Sequence, residues 1–260
     1  MSDQFEIGFD TETGGIYPAV NPLLSMALVP SWDAPVTTIY VLPEEGKIIE
    51  PDAAKVNGYT PEVWAERGAV PLHRAMLMFA ASLQQLLAEK KEARLVAHNA
   101  GFDRSFVEEN ARPFQIELPG RYQWECSMHE LGSLINDGLI PRGGRSLARL
   151  GELAGLWPVG GRPELHDVTE DARAALQGYQ WLRAKKAARA HRTDEQVIEQ
   201  TDKLACTLAL LDGYAFDAGY KFHEHSRLAA NPMPRQAKYW EMARQSQILL
   251  TETDPEDALP

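Results

Sequence analysis

Phe9-Asp10-Thr11-Glu12-Thr13 sets two carboxylates two residues apart at the end of an apolar run. On an extended chain residues i and i+2 share a face, so Asp10 and Glu12 would project together, and paired hard oxygen donors suit Mg²⁺ or Mn²⁺. Alone the pair is weak evidence, because a chain with 37 Asp and Glu residues contains D-x-E by chance and a solvated strand end gives the same pattern. His98-Asn99-Ala100-Gly101-Phe102-Asp103 breaks an apolar run at Asn-Ala-Gly and presents Asp103 at the start of a helix. There an acid also simply complements the helix macrodipole. His166-Asp167-Val168-Thr169-Glu170-Asp171-Ala172 offers an imidazole before a helix and a carboxylate on it. With a reference pKa of about 6.5, a histidine serves as a neutral base near neutral pH with little tuning.

Two other patterns carry no chemistry. His223 and His225, taken with Cys126 or Cys206, have neither C-x-x-C nor H-E-x-x-H spacing, so no zinc site is expected. Pro141-Arg142-Gly143-Gly144-Arg145-Ser146 lacks P-loop spacing, and a turn running into a helix capped by Ser146 accounts for it. With so few cysteines there is no disulfide framework, and each is expected to be a small buried residue.

The elements that must position these residues follow from periodicity. Residues 4–10, 25–30 and 36–42 read as three strands with short connections, an antiparallel meander. Between Leu72 and Glu92, Ala75, Met78, Phe79, Ser82, Leu83, Leu86 and Leu87 recur at helical spacing and predict a long amphipathic helix. Residues 94–98 predict a short buried strand, 102–111 a helix, 122–126 a strand, and 128–136 and 147–156 further helices. Asp167-Val168-Thr169-Glu170 is an acidic capping box, so Asp167 caps a helix running toward Arg189, with His166 just outside it and Asp171 in its first turn. A further helix is expected at 193–211, and a frayed acidic end after it. Strands alternating with helices after a meander describe an α/β protein with a mixed sheet.

Composition narrows the function classes. At 260 residues with 44% hydrophobic and 24% charged residues the chain is of ordinary globular type and long enough for a sizeable core. No secretion signal or run of about 18 apolar residues is present, so a cytoplasmic protein without membrane association is expected. The net charge of -11 argues against gripping long nucleic acid by charge alone. Residues 141–192, however, carry ten Lys/Arg against five Asp/Glu, a basic stretch suited to phosphate or to a solvated helix face.

In the order D-x-E, H-N-x-x-F-D and H-x-x-x-x-D-A, the three segments resemble the DEDDh exonucleases, the DnaQ-like branch of the RNase H-like fold. The resemblance covers residues 4 to about 190, with secondary likenesses at Lys55–Pro61 and Ser146–Leu150. Thr13 is followed directly by Gly14 and Gly15 where the family often has a second threonine, and Val168 stands where it often has alanine; neither change touches a metal ligand or the base. The resemblance implies an RNase H-like mixed β-sheet flanked by helices at 1–190; residues 191–260, which it does not reach, read from the helix expected at 193–211 as a helical C-terminal extension. It implies a 3′-5′ exonuclease releasing nucleoside 5′-monophosphates with two divalent ions, Mg²⁺ or Mn²⁺. Asp10, Glu12, Asp103 and Asp171 would hold the ions and His166 would act as general base. Thr11, Thr13 and Gly14 would meet the last nucleotide, Phe102 would stack on a base or pack in the core, and Arg145, with Arg142 and Arg149, would hold the upstream backbone. The expected substrate is a 3′ end of single-stranded DNA, with RNA or an oligoribonucleotide as the alternative. The alternative of another class is a proofreading-type module whose main task is docking to a polymerase or another replication or repair protein through residues 191–260.

Overall fold

The computed structural model describes residues 5–90, 93–119, 122–161 and 165–190. The expected helix at 193–211, the acidic end, and His223, His225 and Cys206 lie outside the described residues.

Three strands open the fold: β1 (Glu6–Thr13), β2 (Leu23–Pro30) and β3 (Thr37–Leu42). They form the predicted antiparallel meander, but β1 runs on through Glu12 to Thr13 instead of ending at Asp10. The reason is pairing: β2 begins at Leu23, and its first residues carry the ladder on through Thr11↔Met26 and Glu12↔Ser25 to an irregularity between Glu12 and Thr13. β2 is buried along nearly its whole length, as expected of a strand covered on both faces.

Two short helices that the periodicity did not reveal follow, α1 (Pro51–Asn57) and α2 (Pro61–Glu66). Each begins with a proline in its first turn, and α1 ends at Gly58 with φ 66°, in the left-handed region that glycine enters without cost. A two-residue strand, β4 (Val70–Pro71), leads into α3 (Leu72–Glu89). The buried stripe of α3 is Leu72, Ala75, Met76, Phe79, Leu83, Leu86 and Leu87, so Met76 takes the place expected of Met78, which is exposed. β5 (Arg94–Ala97), α4 (Ala100–Ala111), a 3-10 turn (Arg112–Phe114) and β6 (Gln123–Cys126) follow, then α5 (Ser127–Asn136), α6 (Leu147–Leu153) and α7 (Val168–Ala190).

Among the described residues the sheet order is β4-β3-β2-β1-β5-β6, with β5 parallel to β1 and β6 parallel to β5. The strands with both parallel and antiparallel neighbours make this the mixed α/β sheet expected. Ile7, Phe9, Met26, Leu28 and Leu95 join Phe79, Leu83 and Phe106 in the larger core on one face. On the other face Ala27, Val29 and Val96 pack against Val168, Ala172, Leu176 and Tyr179 of α7.

Two compact units divide the chain. The site residues below all belong to the unit that, among the described residues, comprises 5–132 and 144–182; residues 133–143 and 183–190 belong to the second. Among the described residues no helix is long and apolar enough to cross a membrane.

Candidate active site

β5 pairs with β1 only at Glu6, Ile7 and Gly8, so Asp10 and Glu12 lie beyond the point where β5 stops and the chain turns into α4. Period-two alternation puts Gly8, Asp10 and Glu12 on the α7 face, opposite the face that buries Ile7 and Phe9. α7 begins where the capping box predicts: the Asp167 carboxylate accepts from the N–H groups of Thr169 (3.0 Å) and Glu170 (3.1 Å). The Thr169 and Thr38 hydroxyls, 2.8 Å apart, tie this end of the helix to β3.

The outcome is a cluster in which ligand atoms of Glu12, His166 and Asp171 all lie within 4.8 Å of one another. His166 Nδ1 is 3.7 Å from Asp171 Oδ2, with Asp171 buried and the imidazole partly exposed. Asp10 shares the strand face with Glu12 and is half-buried. Asp103 approaches from α4, where its Oδ1 accepts the Thr11 hydroxyl at 2.8 Å. Burial pushes the Asp103 carboxyl up to about 7, against the opposing pull of the Thr11 hydrogen bond. A buried acid that resists ionisation, beside carboxylates sunk at one strand end, is a donor set that a divalent cation would relieve, and the oxygen chemistry fits Mg²⁺ or Mn²⁺. Neither Asp10 nor Asp103 belongs to the 4.8 Å cluster: Asp10 shares the strand face of Glu12, and Asp103 is tied to Thr11 between them.

No protein-family model matches the chain. Ribonuclease T of Photobacterium profundum is 33% identical over 115 residues, 40% of this chain and 52% of that protein. Ribonuclease T of Yersinia enterocolitica is 35% identical over 113 residues, with the same coverage of 40% and 52%. The chain thus spans about half the length of the curated relatives it matches. Among solved structures, the nuclease domain of 3′hExo, described as a DEDDh family member and bound to rAMP, superposes with a TM-score of 0.52 at 15% identity, covering 70% of this chain and 92% of that one. This chain shares the fold of that nuclease domain. The cell-death related nuclease CRN-4 (TM-score 0.54, 15% identity, 70% and 64% coverage) and an E. coli ExoI–ssDNA complex (0.50, 16%, 80% and 45%) have the same fold.

Within this fold the residues expected to meet substrate are placed as follows. The hydroxyl hydrogens of Thr11 and Thr13 are used internally, on Asp103 and on the Gly15 carbonyl (2.6 Å). Gly14 donates its N–H to Pro22 (2.8 Å), and its carbonyl accepts from Glu50 (2.7 Å). Phe102 is half-buried, packs on the larger core and lies 5.0 Å from the Phe106 ring centroid. Arg145 is exposed, as is Arg142.

Several residues that build the site were given no role in it by the sequence. Gly8 lets α7 approach the sheet: a Cβ there would stand 2.4 Å from the Ala172 carbonyl oxygen, one residue after Asp171. Asn57, buried at the end of α1, donates to the Thr13 carbonyl at 3.1 Å, while the neighbouring Val56 carbonyl accepts the His166 N–H at 2.8 Å. One helix end therefore holds both the acidic strand and the histidine. Pro51 and Gly58, bracketing α1, are the signal in the sequence that marks it. His98 Nε2 donates to the Arg145 carbonyl at 2.8 Å, which leaves Nδ1 of the neutral ring to accept the Ser127 hydroxyl at 2.9 Å. The Cys126 thiol, half-buried rather than buried, points at the His98 carbonyl (3.3 Å).

Proposed function

We propose that the protein is a metal-dependent 3′-5′ exonuclease, and the observation that carries this reading is the convergence of Glu12, His166 and Asp171 at the open end of β1 in a DEDDh fold. Asp10, Glu12, Asp103 and Asp171 would hold the divalent ions. Bound there, Mg²⁺ or Mn²⁺ supplies a more acidic water and charge stabilisation for the phosphate in flight. His166, outside the helix and partly exposed, takes the proton of the attacking water. The water oxygen bonds to the terminal phosphorus, the P–O3′ bond breaks, and a nucleoside 5′-monophosphate leaves while the shortened chain keeps its 3′ hydroxyl. Thr11 orients the Asp103 carboxyl through its hydrogen bond. Thr13, Gly14 and Phe102 flank the last nucleotide, and Arg145 meets upstream phosphate.

Single-stranded DNA is the first substrate of this reading, and an ExoI–ssDNA complex among the structural neighbours supports it. RNA is the second, supported by the ribonuclease T relatives and by rAMP in the 3′hExo structure. Residues 1–190 form the nuclease domain in this reading, and residues 191–260 dock a polymerase or repair protein in the cytoplasm; pull-down with and without residues 191–260 tests the docking.

The deciding experiment incubates the wild type and Asp10→Asn with 5′-labelled single-stranded DNA and matched RNA in Mg²⁺, Mn²⁺ or EDTA. The expected result is a ladder shortening from the 3′ end that needs metal and disappears in Asp10→Asn, and the faster substrate settles the sugar. Cleavage unchanged in Asp10→Asn would place the activity elsewhere.

A further inference from the structure

Ser25 lies on β2 directly opposite Glu12 and is 1% exposed. Among the described residues its hydroxyl has no hydrogen-bond partner. A buried hydroxyl without a partner lowers the stability of the folded protein, and alanine in the same place would avoid the cost. The position therefore calls for an explanation that packing does not supply.

Its direction supplies one. Met26 and Leu28 point into the larger core, and Ala27 and Val29 into the α7 face, so alternation puts the Ser25 side chain on the α7 face with Glu12. Directly opposite side chains of an antiparallel pair have Cβ atoms about 4.5–5.5 Å apart, within reach of a hydroxyl and a carboxylate after rotation of their side-chain torsions. On its other side Ser25 faces Tyr40, whose hydroxyl accepts from Arg67 at 3.0 Å and whose ring stands edge-on to Trp64. Glu12 is thus the cross-strand neighbour of Ser25 that offers a carboxylate.

We propose that Ser25 is a positioning residue for Glu12: its hydroxyl donates to one Glu12 carboxylate oxygen and so holds the other on a bound divalent cation. The inference rests on the reading of Glu12 as a metal ligand. A ligating carboxylate that keeps one oxygen on the ion needs a donor for the other, and donors of this kind tune metal affinity.

Mn²⁺ binding to the full chain, read from the electron paramagnetic resonance of free Mn²⁺, tests this together with the melting temperature in EDTA. Ser25→Ala is expected to weaken Mn²⁺ binding about tenfold or more, while its melting temperature in EDTA equals or exceeds that of the wild type. That split separates positioning from packing. Equal Mn²⁺ affinity in wild type and Ser25→Ala would overturn the role of Ser25 and leave Glu12 as a ligand. A lower melting temperature in EDTA would make Ser25 a packing residue and overturn it as well. Absence of Mn²⁺ binding by the wild type would remove the reading of Glu12, and this inference with it.

Discussion

Asp103 is where burial and charge conflict most directly. Its carboxyl, ordinarily at 3.8, is raised to about 7 chiefly by burial, so between these values the folded protein binds a proton that the unfolded chain has released. Stability contributed by this group is therefore present at low pH and lost as pH rises from about 4 toward about 7, by up to about 4 kcal/mol in the absence of metal. Asp103→Asn removes the dependence: in EDTA the variant is expected to gain on the wild type steadily from pH 4 to pH 8 in denaturant unfolding. A constant difference over that range would show that Asp103 ionises freely in the fold. His166 poses a different question, because its ring belongs to the 4.8 Å cluster with Glu12 and Asp171. As a base and not a ligand, it predicts that His166→Ala lowers the turnover rate by about 10²–10⁴-fold with Mn²⁺ affinity kept. Loss of Mn²⁺ binding in that variant would make the imidazole a ligand.

At the scale of elements, the site exists because α7 lies tightly on the sheet and α1 closes the far end of β1. Gly8 permits the first contact, facing the Ala172 carbonyl with no room for a Cβ. Gly8→Ala is expected to cost about 1–3 kcal/mol by overpacking. Because the displaced helix carries Asp171, it should also weaken Mn²⁺ binding, a coupling that melting curves with and without Mn²⁺ would reveal. A destabilised variant with wild-type Mn²⁺ affinity would mean that α7 keeps its place at the acids while the strain is absorbed elsewhere. Asn57 performs the matching task from α1, bridging to Thr13 beside the backbone anchor of His166.

Across the whole molecule, a net charge of -11 leaves little general attraction for a polyanion, and the basic residues concentrate in 141–192. Arg145→Ala is accordingly expected to raise KM with kcat nearly unchanged and to flatten the dependence of log affinity on log salt by about one unit. An unaltered salt slope would take Arg145 off the phosphate path. The candidate residues were legible in the sequence as a set: D-x-E and the Asp103 helix start are weak alone, but their order with the Asp167-capped helix is distinctive, and strand alternation and capping are properties of a few consecutive residues. The meander, α3 and α7 were legible for the same reason. The extension of β1 through Thr13 was not, since it depends on where β2 starts, and α1 and α2 are too short to show a period. Nor could spacing say that Asp103 meets Thr11 across 92 positions, that α7 needs Gly8 beneath it, or that Ser25 faces Glu12 without a partner. The sequence by itself determined which kind of sheet and singled out the candidate acids and histidine. Only the tertiary structure decided which of them touch, because register, helix-to-sheet distance and burial arise between segments far apart in the chain.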